Sequence, residues 1–447
     1  MAQHPLHAPK RNGTPANSSP SAPSVRQIDR QKIDQTAPHT ALRLSGGRVS
    51  AFDRFSLRQI LAVLGNPLLR LILWNGEEMN PASGQAVATV ILRDRSVLLK
   101  ILANPDLGFG DGYSAGLLDV DGDLIEFLET MYRTCVARNG GRFRRLVFNW
   151  LYRPQANTLS GSRDNIHHHY DLSNDFYKLW LDDEMVYTCA YFPTPEAGLE
   201  QAQKAKMDHV CRKLRLRPGQ TVIEAGCGWG ALARHMARHY GVTVKAFNIS
   251  HEQMAYARAR AKAEGLERRV EFIEDDYRAI TGPCDVFVSV GMLEHVGPEN
   301  YRQLGEVIKR SLKPDGIGLI HSIGRNRRGP MNPWMEQRIF PGAYLPTLRE
   351  MMRVFEPWNF SVLDVENLRL HYAKTLEHWL RRFDQHAEQI RQMFDERFVR
   401  SWRLYLAGSL AGFTTGFIQL FQVVFAPGTS NEVPWTRNYL YAGEPGA

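Results

Sequence analysis

The stretch Thr221-Val-Ile-Glu-Ala-Gly-Cys-Gly-Trp-Gly230 decides the fold. A short apolar run ends on an acid, Glu224, and feeds directly into glycines at 226, 228 and 230, with Ala231 to Tyr240 helical behind them. Glycine is required where a backbone must turn tightly and let a ligand approach without a Cβ in the way. A glycine pattern alone is weak, but the strand before, the helix after and the acid at the strand end make this one specific. It is not the dinucleotide G-x-G-x-x-G, and no Gly-Lys-Ser/Thr follows, so it is not built to cradle phosphates. Outward from it, strand-like runs recur at Val242–Phe247, Arg269–Ile273, Asp285–Val290 and Gly316–His321, with helical segments between. That alternation predicts βαβ units on a parallel sheet.

The E-x-G-x-G-x-G spacing resembles the first motif of class I methyltransferases, where the glycines would admit the aminoacyl end of S-adenosylmethionine. On that resemblance Glu224, Gly226, Gly228 and Gly230 are candidate cofactor residues. An acid at the end of the second strand commonly binds a ribose diol. Here that strand ends Phe247-Asn248-Ile249-Ser250, so Asn248 and Gln253 are the available substitutes. Gln253 has a competing role, because Ser250-x-x-Gln253 is also a capping box for the next helix. Asp275 and Asp276 follow the third strand, placed either to meet the adenine and its amine or merely to be solvated.

Six further motifs surround this core: HYDLSNDFYKLWLD (169–182), YTCAYF (187–192), GMLEHVG (291–297), LIHSIG (319–324), IFPG (339–342) and HYAKTLEHW (371–379). Together they resemble the cyclopropane-fatty-acid synthase family, including its mycolic acid branch. The resemblance covers roughly residues 165 to 425, with a fainter match around Phe109 to Ile125. It implies a Rossmann-like class I methyltransferase fold with a smaller N-terminal α+β domain. It also implies transfer of the S-adenosylmethionine methyl carbon to the double bond of an unsaturated acyl chain in a membrane phospholipid, forming a cyclopropane. A methyl- or methylene-branched chain is the alternative product.

The residues suit such chemistry. Glu294 and His295 follow the fourth strand and His321 ends the fifth, so all three approach the ligand crevice outside the carboxyl ends of the strands. An alkene is a poor nucleophile, and its attack on a sulfonium methyl leaves a carbocation. The site then needs aromatic faces and a general base, with no metal and no covalent nucleophile. Tyr170, Phe176, Tyr177, Tyr187, Tyr191, Phe192 and Tyr372 are the aromatic supply. In the resembled family the base is a bicarbonate ion held by a Cys main chain, a Glu, a His, an Ile main chain and a Tyr. The matching positions are Cys189, Glu294, His321, Ile323 and Tyr372. By the same carry-over Tyr187, Thr188, Gly226, Gly228, Asn248, Ile249 and Gln253 would meet the cofactor. The departures are Glu224 for the family's Asp, Asn248 for Thr, Asp275 for the mycolic branch's aromatic, and Phe413-Thr-Thr-Gly416 without the usual Arg. They bear on substrate and product rather than on methyl transfer.

At 447 residues the chain exceeds one ordinary core. Residues 1–45, rich in Pro, Ser, Ala, Gln and Thr, read as a disordered basic tail without a signal peptide's apolar stretch. A domain over 46–138 follows, with a helix around Leu57–Leu64, strands over Ala86–Leu92 and Ser96–Leu102, and a glycine-rich turn from Phe109 leading into an amphipathic helix that reaches Tyr132. Residues 139–165 read as a linker whose basic helix, Arg142 to Arg153, suits either an anionic membrane or docking on the protein. Residues 166–447 form the catalytic domain. Leu404 to Ala426 holds no charge over 23 positions, yet its Gln, Ser and Thr residues favour a packed helix and a buried strand over Phe417–Phe425.

A net charge of +8 admits nucleic acid or anionic lipid, and no zinc spacing, RNP-type motif or Asn-Pro-Pro-Tyr segment supports nucleic acid. Five cysteines without CxxC pairs indicate free thiols in a reducing compartment. His167, His168 and His169 point apart on a helix and do not make a metal site. The expectation is a cytoplasmic enzyme held peripherally at the inner face of the membrane, with homodimerisation open.

Overall fold

The computed structural model describes residues 44–81, 84–137 and 172–441. Residues 1–43 of the basic tail, the Arg142–Arg153 helix, the His167–His169 tract and Tyr170 lie outside the described residues.

The N-terminal segment folds around its own small sheet of β1 (Leu69–Ile72), β2 (Glu78–Met79), β3 (Ala88–Leu92) and β4 (Leu118–Asp121), in the order β2-β1-β3-β4. Four helices accompany it: α1 (Ala51–Val63), α2 (Arg95–Ala103), α3 (Pro105–Ser114) and α4 (Leu124–Ala137). Ser50 and Asp53 close a capping box that starts α1.

Two expectations are corrected here. Ser96–Leu102 is not a strand but lies in α2. Asp94 caps that helix by accepting a hydrogen bond from Ser96 N at 2.8 Å. Val97 and Leu98 are buried while Leu99 and Leu102 are exposed, a helical alternation that a short apolar run does not announce. The glycine-rich stretch from Phe109 is likewise not a turn, because Phe109 to Ser114 completes α3. Its glycines answer to close packing. A Cβ at Gly108 would collide with the Lys100–Ile101 backbone, and one at Gly110 with the Trp334 indole.

The catalytic half opens with α5 (Asn174–Lys178) and α6 (Leu199–Lys213). The expected strands follow as β5 (Thr221–Ala225), β6 (Thr243–Asn248), β7 (Val270–Glu274), β8 (Cys284–Val290) and β9 (Leu312–Gly324), and β10 (Phe360–Asn367) and β11 (Gln419–Pro427) complete the sheet. Its order is β10-β11-β9-β8-β5-β6-β7. The strands from β5 to β9 pair in parallel, and β11 lies antiparallel between β9 and β10. Strand order reverses at β5, so the crevice where open α/β sheets bind ligands falls at its carboxyl end. Alternate residues fill the two faces: Val222, Val244, Val286 and Leu319 on one, Ile223, Phe247, Phe287 and Ile320 on the other. This is the Rossmann-like α/β fold, with a smaller N-terminal domain beside it.

Between strands lie α7 (Ala231–Tyr240), α8 (His251–Ala263), α9 (Leu293–Val296), α10 (Tyr301–Ser311), α11 (Pro333–Arg338) and α12 (Leu348–Phe355). Then come α13 (Arg369–Gln385), α14 (Ala387–Met393) and α15 (Glu396–Thr415). The uncharged stretch from Leu404 is the second half of α15 followed by β11, every residue of which is buried. Among the described residues no helix is long and apolar enough to cross a membrane. The two halves meet along α15, whose Arg400 donates to Tyr113 O (2.6 Å), Leu118 O (3.0 Å) and Asp119 Oδ1 (2.5 Å).

Candidate active site

One cavity of about 2050 Å³ runs from the glycine loop after β5 to the N-terminal domain. On the glycine side, Gly226, Gly228 and Gly230 all take positive φ, at 83°, 54° and 78°. Their roles differ. A Cβ on Gly228 would meet nothing within 4 Å, so this backbone borders open space. A Cβ on Gly226 would stand 2.9 Å from Met292 Cβ, and one on Gly230 2.6 Å from the Phe272 ring. Gly230 therefore serves packing at the start of α7 and lies off the cavity wall.

Glu224 is buried on that wall, and its Oε2 has no hydrogen-bond partner. Burial pushes its carboxyl up to about 8, with Lys206 opposing, and burial pulls Lys206 down to about 8. Lys206 Nζ donates to Thr188 Oγ1 at 2.9 Å, and Gln203 Nε2 donates to Thr188 O at 2.9 Å, which fixes the Tyr187–Thr188 segment. The Tyr187 hydroxyl meets that of Tyr405 at 2.7 Å.

Asn248 and Gln253 both reach the wall and hold each other, Asn248 Nδ2 donating to Gln253 Oε1 at 2.7 Å. Asn248 Nδ2 also donates to Gly228 O at 3.3 Å, tying the second strand to the loop. The predicted capping box is half present. Ser250 Oγ accepts from Gln253 N at 3.4 Å, while the Gln253 side chain turns to Asn248 instead of back to Ser250. Ile249 donates its N–H to Asn248 Oδ1 and stands off the wall. Asp275 and Asp276 also lie off it. Asp276 caps the turn Tyr277–Ala279, and Asp275 Oδ1 accepts from Asp276 N.

The opposite wall carries titratable groups. Glu294 sits on α9, the single turn after β8, and Gly291 N donates to His321 O at 2.9 Å, binding that turn to β9. Ile323 N donates to Glu294 Oε1 at 2.6 Å, and Glu294 Oε2 has no partner. Burial pushes the Glu294 carboxyl up to about 7. His321 lies well below its ordinary value, because burial and the nearby Lys206 and Lys213 disfavour imidazolium. The β9–β11 register sets Gln422 beside His321. Gln422 Oε1 accepts from Lys213 Nζ at 2.7 Å, so its Nε2 faces His321 Nδ1 at 3.1 Å and donates. That assigns the imidazole proton to Nε2.

Tyr372, from α13, stacks on Phe413 with centroids 4.5 Å apart. Glu294, His321, Ile323 and Tyr372 thus share one wall with His295, Tyr187, Tyr405, Phe340 and Phe413. Cys189 stands behind it. Its thiol donates to Ala190 O at 3.1 Å and is raised far above its ordinary value by burial, which makes it inert as a nucleophile. Of the other aromatic candidates, Phe176, Tyr177, Tyr191 and Phe192 pack into the core. Lys206, Tyr405 and Gln422 were not singled out from sequence. No motif marks them, and only the contacts across α6, α15 and β11 bring them in.

A family described as mycolic acid cyclopropane synthetase matches residues 158–423. The chain belongs to this family. Residues 56–137 match a separate domain of unknown function. The cyclopropane-fatty-acyl-phospholipid synthase of Escherichia coli K12 is 36% identical over 352 residues, covering 78% of this chain and 90% of that protein. A probable fatty acid methyltransferase of Pseudomonas putida is 36% identical over 386 residues, covering 83% and 96%. The structure of mycolic acid cyclopropane synthase CmaA1 complexed with SAH and CTAB superposes with a TM-score of 0.56 at 31% identity, over 59% of this chain and 97% of that one. The protein is an S-adenosylmethionine-dependent C-methyltransferase. Its own residues fit that cofactor: Gly228 borders open space, and the orphaned Glu224 Oε2 is an acceptor suited to the cofactor's ammonium group.

Proposed function

We propose that the protein methylates the double bond of an unsaturated acyl chain in a membrane phospholipid and closes a cyclopropane ring, working from the cytoplasmic face of the membrane as a peripheral enzyme. The observation that carries this reading is the single cavity lined by both Gly228 and Glu224 and by Glu294, His321 and Tyr372. S-adenosylmethionine, when bound, supplies an electrophilic methyl. Glu224 would accept hydrogen bonds from its ammonium group, and Asn248 and Gln253 would hold its ribose hydroxyls. Tyr187, Tyr405 and Phe340 give the chain an apolar, aromatic bed whose faces stabilise a developing cation. Buried among them, the reacting carbons are kept from water that would otherwise trap the cation as an alcohol.

The proton leaves on the Glu294, His321 and Tyr372 side. Those residues would hold a bicarbonate ion as the general base: His321 offers its Nε2–H, and Glu294, raised to about 7, can donate or accept at Oε2. Ile323 N–H is already engaged by Glu294, and Cys189 stands behind the wall, so the cradle differs from the five-contact pattern of the resembled family. That difference supports a second reading, in which a chain proton is lost instead and a branched product forms.

Methyl-deuterated methionine separates the two readings in a host lacking cyclopropane lipids. A ring retains two donor deuterons and shows upfield ring protons, whereas a methyl branch retains three. Three retained deuterons would overturn the ring reading. Depletion of bicarbonate should slow turnover and its return should restore it.

A further inference from the structure

Helix α1 places Phe52, Phe55, Gln59 and Val63 at i, i+3, i+7 and i+11, a single stripe. The stripe faces solvent, with Phe52 57%, Phe55 59% and Val63 54% exposed. The opposite side of the helix buries Asp53, Ser56 and Leu57. Arg95 Nε donates to Asp53 Oδ1 at 3.0 Å and joins α2 to α1, and α2 adds Leu99 at 46% and Leu102 at 41% exposure. One exposed apolar side chain is ordinary, but several on two joined helices make a patch that water does not favour.

Arg48, Arg58, Arg95 and Lys100 are exposed cations on or next to these two helices. Asp53 is buried under Arg95, and Asp94 is half-buried as the cap of α2. The exposed acid nearby is Asp106, at the start of α3.

The patch also borders the cavity. Val63 and Leu102 are exposed and yet line its wall, with Leu57, Leu64, Leu69 and Leu71 further in. Arg327 and Arg328, also exposed, line the same cavity. The exposed residues on the cavity wall thus include apolar side chains, the acid Asp106 and two cations, of which Arg328 pairs with Glu350. Acyl chains and anionic phosphates present the complementary pair at a bilayer surface.

We propose that the α1 stripe and the adjoining face of α2 seat the protein on an anionic bilayer, with the cavity mouth opening into it. An acyl chain then passes from membrane to active site without crossing water. The identity of what enters rests on the function proposed above; the seating itself does not.

The test uses the full chain and vesicles of phosphatidylcholine with phosphatidylglycerol. F52S/F55S removes exposed rings, so cofactor affinity and thermal midpoint should stay unchanged. Vesicle affinity should fall roughly tenfold or more, since each ring loses its apolar burial. Turnover on vesicle phospholipid should fall with it, while turnover on the same lipid dispersed in detergent is retained. Unaltered vesicle affinity would overturn the proposal. So would a shift from dimer to monomer in sedimentation, which would assign the stripe to a second copy of the chain. If the native protein methylates neither presentation of the lipid, the functional reading fails, while the vesicle-affinity comparison still decides the seating.

Discussion

Each glycine of the first motif answers to a different neighbour. Gly228 borders open space on the cavity wall, so Gly228→Val should abolish S-adenosylmethionine binding, with some loss of stability because a φ of 54° strains a branched residue, read by calorimetry alongside circular dichroism. Gly230→Ala should act on stability instead, because its Cβ would press on the Phe272 ring. Glu294 carries a second test, on turnover and on pH. Glu294→Gln should slow turnover ~10²-fold or more with cofactor affinity nearly intact. Its carboxyl titrates near 7 in the folded protein against 4.5 in the unfolded chain. Between those values the native state holds a proton that the unfolded state has released, so stability falls as pH rises through that window. Glu294→Gln should therefore raise the thermal midpoint at pH 8 relative to the parent and change it little at pH 4.5. An equal difference at both would mean the carboxyl keeps its ordinary value.

Among the elements, β5 to β9 and β11 of the large sheet were legible as short apolar runs, whereas β10, FSVLDVEN, was not, being half polar and largely solvent-facing. The errors fell in the small domain. Ser96–Leu102 is compatible with either period, and the Asp94 cap with burial of Val97 and Leu98 decides for helix. The Phe109–Gly112 glycines read as turn formers, yet they sit where α3 presses on α2 and on Trp334. Gly110→Leu should accordingly destabilise the protein by about 1–3 kcal/mol through overpacking, measured by denaturant unfolding. The Asn248 end of β6 was partly legible, since its lack of an acid is plain. Its bond to Gln253 required α8 to be in place.

For the whole molecule, Arg400 joins the two halves through Tyr113 O, Leu118 O and Asp119, and lies 4.4 Å over the Tyr113 ring. Arg400→Ala should cost about 2–3 kcal/mol and separate one unfolding transition into two, seen by calorimetry. Arg400→Lys should not restore the single transition, because an ammonium cannot span both carbonyls and the carboxylate as a planar guanidinium does.

By itself the sequence determined the parallel sheet, the glycine loop at its switch point and the kind of chemistry, because local period and residue type carry that information. Glu294, His321 and Tyr372 could be named in advance, as they stand in recognisable motifs. Only the tertiary structure decided which residues share a wall. It left Cys189, Asp275 and Asp276 off the cavity, brought Lys206 and Tyr405 onto it from α6 and α15, and set Gln422 of β11 behind His321. Those meetings depend on strand register and helix docking between residues far apart in the chain, and on burial that raises the Glu294 carboxyl and lowers the His321 imidazole.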